Sequence, residues 1–386
     1  MAKLILISDF SEAASRRLVT GISQYVHEMH EAWNFSFLPI EAKEHIGLEA
    51  IVKQAKSVSA DAVIGHFEPT DDLNLFRDNG IIVIAQDYKT RFSDIPNITS
   101  NYYESGRICA DYFLKKGFES FAFYGPEDRV SAVERQQGFK DTVLAAKPDA
   151  KFSSLMTRSS IWGYDSNELT GWIRSLPKPV AIMAGNDRWG YYVTEAVERL
   201  GHNNPKNRFR IPEDIAVVGV DNDEPICKLS SPNLSSLDLE FEKAGYKVAR
   251  FINEMILNPQ CEPRNIYIES ASFKTRQSSE ILVNDDPHIE TVLKYIHANI
   301  NHKILVNDIV KQVPLSRRLL ETRFREKMGV SICTYIKNIR IEKMTNMLRN
   351  GKTVSEATFA LGFGDIKNIS RIFKSVEGVP PSKYIK

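Results

Sequence analysis

The sequence predicts an α/β body of two doubly wound, parallel-sheet lobes, followed by an all-α domain with two helix-turn-helix motifs. Three observations predict it. From residue 1 to about residue 276, short apolar runs alternate with amphipathic stretches. Beyond Pro287 the strand-like runs stop and apolar residues recur every three or four positions. The charge changes sign at the same place: residues 1–286 hold 32 Lys and Arg against 41 Asp and Glu, and residues 287–386 hold 18 against 8. The chain of 386 residues is thus nearly neutral overall, at +1, yet joins an acidic body of about −9 to a basic end of about +10. Such a split points to two partners of different chemistry.

The opening "MAKLILISDF" has an apolar core of four residues, Leu4 to Ile7, and no small-residue cleavage site. It reads as a buried first strand, not a secretory signal. "SRRLVTGISQYVHEM" follows as a helix, and "ADAVIGH" and "GIIVIAQD" continue as strands around a further helical segment. A second series is "GRICADYFLKKG", "SFAFYG", "AVERQQGFKDTVLAA", "PVAIMAGND", "WGYYVTEAVERLG" and "DIAVVGVDND". Strand and helix in regular alternation give a parallel sheet covered on both faces, and the length suits two such lobes. No apolar run approaches the 18 or so residues that cross a bilayer, so no membrane partner and a cytoplasmic location are expected. Cys109, Cys227, Cys261 and Cys333 are scattered, without zinc-type spacing, and read as free thiols. His27 and His30 lie three apart with no third ligand near in sequence, so no metal is expected.

In open α/β sheets a ligand sits outside the carboxyl ends of the strands. The residues there are Ser8 and Asp9, His66 and Glu68, Asp87, Asn101, Gly125, Asn186 and Asp187, and Asp221 and Asn222. Most are carboxylates and amides, which suit a neutral polyhydroxylated ligand because each can hold one or two hydroxyls. Taken singly, each can equally start a turn or cap the next helix. A nicotinamide-type site is not expected, since no N-terminal strand leads into G-x-G-x-x-G; the lone G-x-G, Gly362 to Gly364, sits between helices. A Walker loop and a nucleophile elbow are absent too, and no cofactor is expected.

"PVAIMAGNDRWGYYVTEAVERLG" with "RIPEDIAVVGVDNDE", preceded by "NYYESGRICADYFLKKGFESFAFYG" and "RQQGFKDTV", resembles the effector domain of LacI-type regulators and the periplasmic sugar-binding proteins over residues 1–276. The resemblance implies a periplasmic-binding-protein type I-like sensor. It places Arg135 of R-x-x-G-F, Asn186 of A-x-N-D, Asp221 and Asn101 in a sugar cleft, with Trp162 as the aromatic under the ring. Ser8 and Asp9, at the end of the first strand, complete the expected effector set.

"FKTRQSSEILVNDDPH" is polar and without period, so a linker is expected at 277–286 between a body of 1–276 and a second domain of 287–386. In "SRRLLETRFREKMG", Leu320, Phe324 and Met328 form one stripe, and in "DIKNISRIFKSVEG" Ile369, Ile372, Phe373 and Val376 form another. A shorter helix precedes each, "LVNDIVKQV" and "VSEATFALG", giving helix-turn-helix twice around the spacer "SICTYIKNIRIEKMTNMLRNG". Their outer faces are basic, suited to phosphates and base edges. "LGF" followed by "SRIFKSVEGVPPSKYI" resembles the AraC family signature, with Asn368–Ile369 in place of an aromatic pair and Pro380 in place of Ser or Thr. The resemblance implies that Arg318, Glu321 and Thr322, with Arg317 beside them, and Ile366, Lys367 and Arg371 face a double-stranded DNA operator.

Together the two resemblances imply a non-enzymatic, sugar-responsive transcription regulator. Its effector would be a small sugar, a pentose such as D-xylose, and it would act as a homodimer with RNA polymerase as a further partner. A sugar-modifying enzyme fused to a DNA-binding domain, and a ligand-independent repressor, remain as alternatives.

Overall fold

The computed structural model describes residues 2–158, 164–203, 209–258, 260–281, 286–328, 330–349, 351–363, 366–377 and 379–384. The chain divides into two compact units, Met1–Ile281 and Leu282–Lys386.

The first unit holds twelve described strands: β1 (Ala2–Ser8), β2 (Trp33–Pro39), β3 (Ala62–His66), β4 (Ile82–Gln86), β5 (Asn97–Ser100), β6 (Ser120–Pro126), β7 (Lys151–Thr157), β8 (Val180–Ala184), β9 (Ile215–Val220), β10 (Ser235–Leu239), β11 (Ile266–Ile268) and β12 (Ser270–Lys274). They form two six-stranded sheets, ordered β11-β5-β4-β3-β1-β2 and β12-β10-β9-β8-β6-β7. Every pairing is parallel except that of β12 with β10. Central strands such as "VAIMA" and "IAVVGV" are buried along their whole length, as a parallel strand covered on both faces must be. The chain changes lobe between β5 and β6, between β10 and β11, and at Glu269 between β11 and β12.

In each lobe two helices meet at glycines, and the contact is too close for any side chain. Across the helices Ala13–Glu28 and Phe241–Leu257, a Cβ on Gly21 would lie 1.9 Å from the Glu242 carbonyl oxygen, and one on Gly245 would lie 2.0 Å from that of Leu18. Across Tyr102–Leu114 and Val130–Ala146, a Cβ on Gly106 would lie 2.2 Å from the Arg135 carbonyl oxygen, and one on Gly138 2.0 Å from that of Tyr103. These crossings hold each helix N-terminus against the cleft side of its sheet.

Gln277–Ser279, read from the sequence as the start of the linker, instead form a short 3₁₀ turn of the first unit. Ser278 and Ser279 are fully buried; the Ser278 hydroxyl donates to the Val217 carbonyl of β9 at 2.7 Å. The polar composition that suggested a linker is there because these hydroxyls satisfy strand-end backbone groups.

The second unit starts with the helix Pro287–Ala298, whose Asp286 carboxylate accepts from the His288 and Ile289 amides. The helices Val306–Val310, Arg317–Met328, Ile332–Arg349, Val354–Ala360 and Ile366–Glu377 follow. Two separate cores result. Ile289, Val292, Ile296, Ile309, Leu320 and Phe324 build the first, and Ala357, Leu361, Ile369 and Phe373 the second. The 18-residue helix Ile332–Arg349 belongs to both: Ile332 and Ile336 enter the first core, and Ile341, Met344 and Leu348 the second. At 1.5 Å per residue it spans about 27 Å.

Candidate functional site

In the first sheet the strand order turns back between β1 and β3, and in the second between β6 and β8. A ligand crevice forms at such a point because the helices on either side leave to opposite faces. The residues that end or follow these four strands line one cavity of about 620 Å³ between the lobes: Asp9 and Glu12, His66 and Glu68, Asp128 and Arg129, Gly185 and Asn186.

Its centre is an ion pair from the second lobe. The Arg135 guanidinium, 3% exposed, donates to the Asp221 carboxylate at 3.3 Å and to the Gly185 carbonyl at 2.6 Å. It also lies over the Tyr102 ring, 5.2 Å from its centroid. Asp221 follows β9 in a left-handed conformation, φ 96°, as does Asn222 at φ 50°. The turn is held from three sides. Arg17, on the first-lobe helix, donates to the Asp221 carbonyl at 2.7 Å. The Asp223 amide donates to the buried Asp187 carboxylate at 2.6 Å, and the Asn222 amide to the Ser236 hydroxyl at 3.0 Å. Burial raises the Asp221 carboxyl above the usual range, and Arg135 and then Arg17 oppose that rise.

A layered stack crosses from the first lobe to the second. His66 stacks on Tyr88 at 5.0 Å, and the Arg129 guanidinium covers the other ring at 3.8 Å while donating to the Tyr88 hydroxyl at 2.7 Å. Burial, and after it the charge of Arg129, pushes the His66 imidazole down to about 3, so it is neutral at ordinary pH. Glu12 behaves oppositely: burial and the neighbouring Asp9 push its carboxyl up to about 7. Asp87 accepts from Thr99 at 2.6 Å and Arg91 at 3.0 Å through one oxygen. Its other oxygen, and Nε of Arg135, are buried without a hydrogen-bond partner among the described residues.

In the second unit, Leu320 and Phe324 turn the helix Arg317–Met328 inward, leaving Arg317, Arg318 and Thr322 exposed and Glu321 half-buried. Arg317 pairs with Glu321 at 2.9 Å. Ile369 and Phe373 likewise bury one face of Ile366–Glu377, leaving Arg371 and Lys374 exposed. Each helix is preceded by a short one, Val306–Val310 and Val354–Ala360, the latter closed by a Thr353–Glu356 capping box. Left-handed Gly362, φ 63°, makes the second turn, where a Cβ would lie 2.9 Å from the Asn301 carbonyl oxygen.

Residues 110–279 match the periplasmic binding protein-like domain family, and residues 309–386 a helix-turn-helix domain family. The chain is a transcription regulator that joins a periplasmic binding protein-like domain to a helix-turn-helix domain. A xylose operon regulatory protein of Haemophilus influenzae is 24% identical over 391 residues, which cover 99% of this chain and 97% of that relative. The solved structure of a xylose-binding transcription activator, xylR, aligns with a TM-score of 0.56 at 21% identity, over 99% of this chain and 97% of that one. A LacI family regulator from Enterococcus faecium with bound ribose aligns with a TM-score of 0.59 at 18% identity, over 74% and 100%. The two solved structures establish the fold: two parallel-sheet lobes and, in the first of them, the helical domain as well.

The regulator brings Asp9, Arg135, Asn186 and Asp221 together on the cleft wall. Asn186 also accepts from the Trp189 amide at 3.2 Å, so it both lines the cavity and caps a helix. Asn101 does not reach the cavity. It is exposed, and its side chain accepts from the Glu104 amide at 2.9 Å, the capping role that competes with ligand binding for any Asn at a helix start. Ser8 lies beneath the wall, bonded to Ser15 at 2.6 Å, and is not among the cavity residues. Trp162 lies outside the described residues, and Lys367 is in the helix Ile366–Glu377 with its side chain outside them. Sequence reasoning passed over Glu12, Tyr88, Arg129 and Arg188, which line the same cavity. Their signal was faint but present: each stands two to four residues beyond a strand end.

Proposed function

We propose that the regulator senses a small sugar, a pentose such as D-xylose, in the cleft between its lobes and changes its hold on DNA in response. The observation that carries this is the polar lining of the cleft, where Asp9, Glu12, Arg135, Asn186 and Asp221 meet in one cavity. Carboxylates accept from sugar hydroxyls, and guanidinium and amide groups donate to them, so this lining suits a neutral polyhydroxylated ligand. Each of these side chains can hold one or two hydroxyls. Two relatives matched over nearly the whole chain, one named a xylose operon regulatory protein and the other a xylose-binding transcription activator, favour a pentose.

Arg317, Arg318, Glu321 and Thr322 in one helix, and Lys367 and Arg371 in the other, form the operator-reading set. Two such helices fixed to one spacer suit successive major grooves, about 34 Å apart. The regulator acts by binding, without chemistry on the sugar, as a homodimer in the cytoplasm, where RNA polymerase is a further partner.

Titration calorimetry with D-xylose on wild type and Asp221→Ala, each with a melting curve, tests the cleft. Loss of a charged acceptor should weaken binding by about 1–3 kcal/mol while the variant stays folded. Undiminished binding by the variant removes Asp221 from the site, and a wild type that binds no pentose removes the sugar reading.

A further inference from the structure

The last residues of the first unit grip the strand that delivers Asp221. The Arg276 guanidinium donates to the Asn222 side-chain oxygen at 2.6 Å and to the Leu234 carbonyl at 2.8 Å. Two residues on, the Ser278 hydroxyl donates to Val217 of β9 at 2.7 Å and accepts from the Ser235 amide at 2.8 Å. The exit segment is therefore tied to the polypeptide on both sides of Asp221, four residues before it and one residue after.

Asn222 is half-buried and left-handed, and it is not part of the cavity wall. The turn it shares with Asp221 is also where the first lobe takes hold, since Arg17 binds the Asp221 carbonyl at 2.7 Å. A first-lobe cation, a cleft carboxylate and the exit segment thus meet within two consecutive residues. Beyond Ile281 the chain continues to the helix Pro287–Ala298 of the second unit.

We propose that Arg276 is a positioning residue that passes the state of the Asp221–Asn222 turn to the segment Gln277–Ile281, and through it to the DNA-binding unit. The inference rests on the reading of the cleft as the effector site. A shift of the turn on ligand binding moves the Asn222 oxygen. Because a guanidinium is a rigid planar fork serving two acceptors at once, that shift is transmitted along the segment and not absorbed. Coupling of this kind requires an element with two arrangements that both sites bias. The left-handed turn, held by Arg17 on one side and Arg276 on the other, is the element to which the proposal assigns that role.

Two variants separate this role from mere support of the fold. Asn222→Gly keeps the left-handed backbone and removes only the acceptor; Arg276→Lys keeps the charge and removes the fork. The readout uses the full chain and a DNA duplex that wild type selects from a random-sequence pool. The ratio of its Kd with and without saturating D-xylose is compared among the proteins. The expected result is that both variants bind D-xylose within about threefold of wild type, while their Kd ratio falls to within about twofold of one, against the 5–150-fold range of ordinary allosteric coupling. Folded variants that keep the wild-type ratio overturn the proposal. If wild type itself shows no response to D-xylose, the cleft reading fails, and hydrogen exchange in the ligand-free proteins decides the inference alone. The Ser278 amide, bonded to the Asn233 carbonyl at 3.0 Å, should then exchange about tenfold faster in Asn222→Gly. An unchanged rate overturns it.

Discussion

Replacing Arg135 with alanine tests whether the cleft is organised by charge. Arg135 and Asp221 are both buried, their side chains 4% and 11% exposed, and Asp221 already sits against its burial penalty with Arg135 as the larger compensating charge. Removing the cation leaves a carboxylate with only Arg17 to oppose desolvation. Breaking a buried pair in this way costs about 3–5 kcal/mol. For a unit of residues 1–281, with an unfolding entropy of about 0.6 kcal/mol per degree, the melting temperature should fall by roughly 5–8 °C. The pH dependence distinguishes charge from lost packing. In Arg135→Ala the folded-state pKa of Asp221 rises further above its unfolded value. The variant's deficit is therefore full above that raised pKa and shrinks as pH falls through it toward 4. Wild type, in which Arg135 holds the rise of Asp221 smaller, gains less over the same range, so the gap narrows. Urea midpoints at pH 7, 5.5 and 4 measure this. A double-mutant cycle with Asp221→Asn should return a coupling of about 1–3 kcal/mol. A deficit that stays constant from pH 7 to pH 4, with no coupling in the cycle, refutes the electrostatic account and leaves only the volume of the side chain.

His66 and Glu12 predict opposite slopes elsewhere in the titration. His66 is depressed to about 3, so the unfolded chain takes up a proton that the folded chain refuses, and stability falls as pH drops from 6.5 toward 3; His66→Gln should flatten that limb in urea-midpoint data. Glu12 is raised to about 7, so its contribution is present below 4.5 and is lost as pH rises to 7; Glu12→Gln should be the more stable protein at pH 7.5. Gly138→Ala should destabilise the first unit by about 1–3 kcal/mol in chemical unfolding, because its Cβ would meet the Tyr103 carbonyl oxygen at 2.0 Å. Arg371→Ala should weaken binding to a selected duplex by about 1–3 kcal/mol at fixed salt and leave D-xylose binding alone; equal DNA affinity would take Arg371 off the interface.

Much of the architecture is legible before any coordinates. Strands such as "VAIMA" and "IAVVGV" announce themselves because a strand covered on both faces has no polar side to blur the run. The two reading helices are equally plain, since Leu320 and Phe324, and Ile369 and Phe373, each place one stripe inward. The site was legible only in part, and Asn101 and Asn186 show why. Both stand at helix starts after strands, and both accept from an amide three residues on; only Asn186 also faces the cavity. Which lobe the next helix joins decides this, and that is a property of the tertiary crossing. The segment 277–279 misled for a similar reason. Serines that look like a solvated linker are buried because β9 and β10 present backbone groups for their hydroxyls. Tyr88 and Arg129 come from different lobes, so no spacing in the chain could pair them.

The helix Ile332–Arg349 sets a limit on how this regulator can change over evolutionary time. Because one uninterrupted helix is shared by two cores, any single residue gained or lost within it swings everything downstream by about 100° and 1.5 Å. On the proposed reading of the DNA interface, drift at the exposed Arg318, Thr322 or Arg371 would alter which bases are favoured one position at a time, and each step would leave a folded protein. The spacing and phase of the two half-sites have no such gradual path: the smallest length change that restores the phase is about seven residues, two full turns, and it arrives all at once. On that reading, operators recognised through such a helix would be free to diverge in letter and bound to agree in ruler.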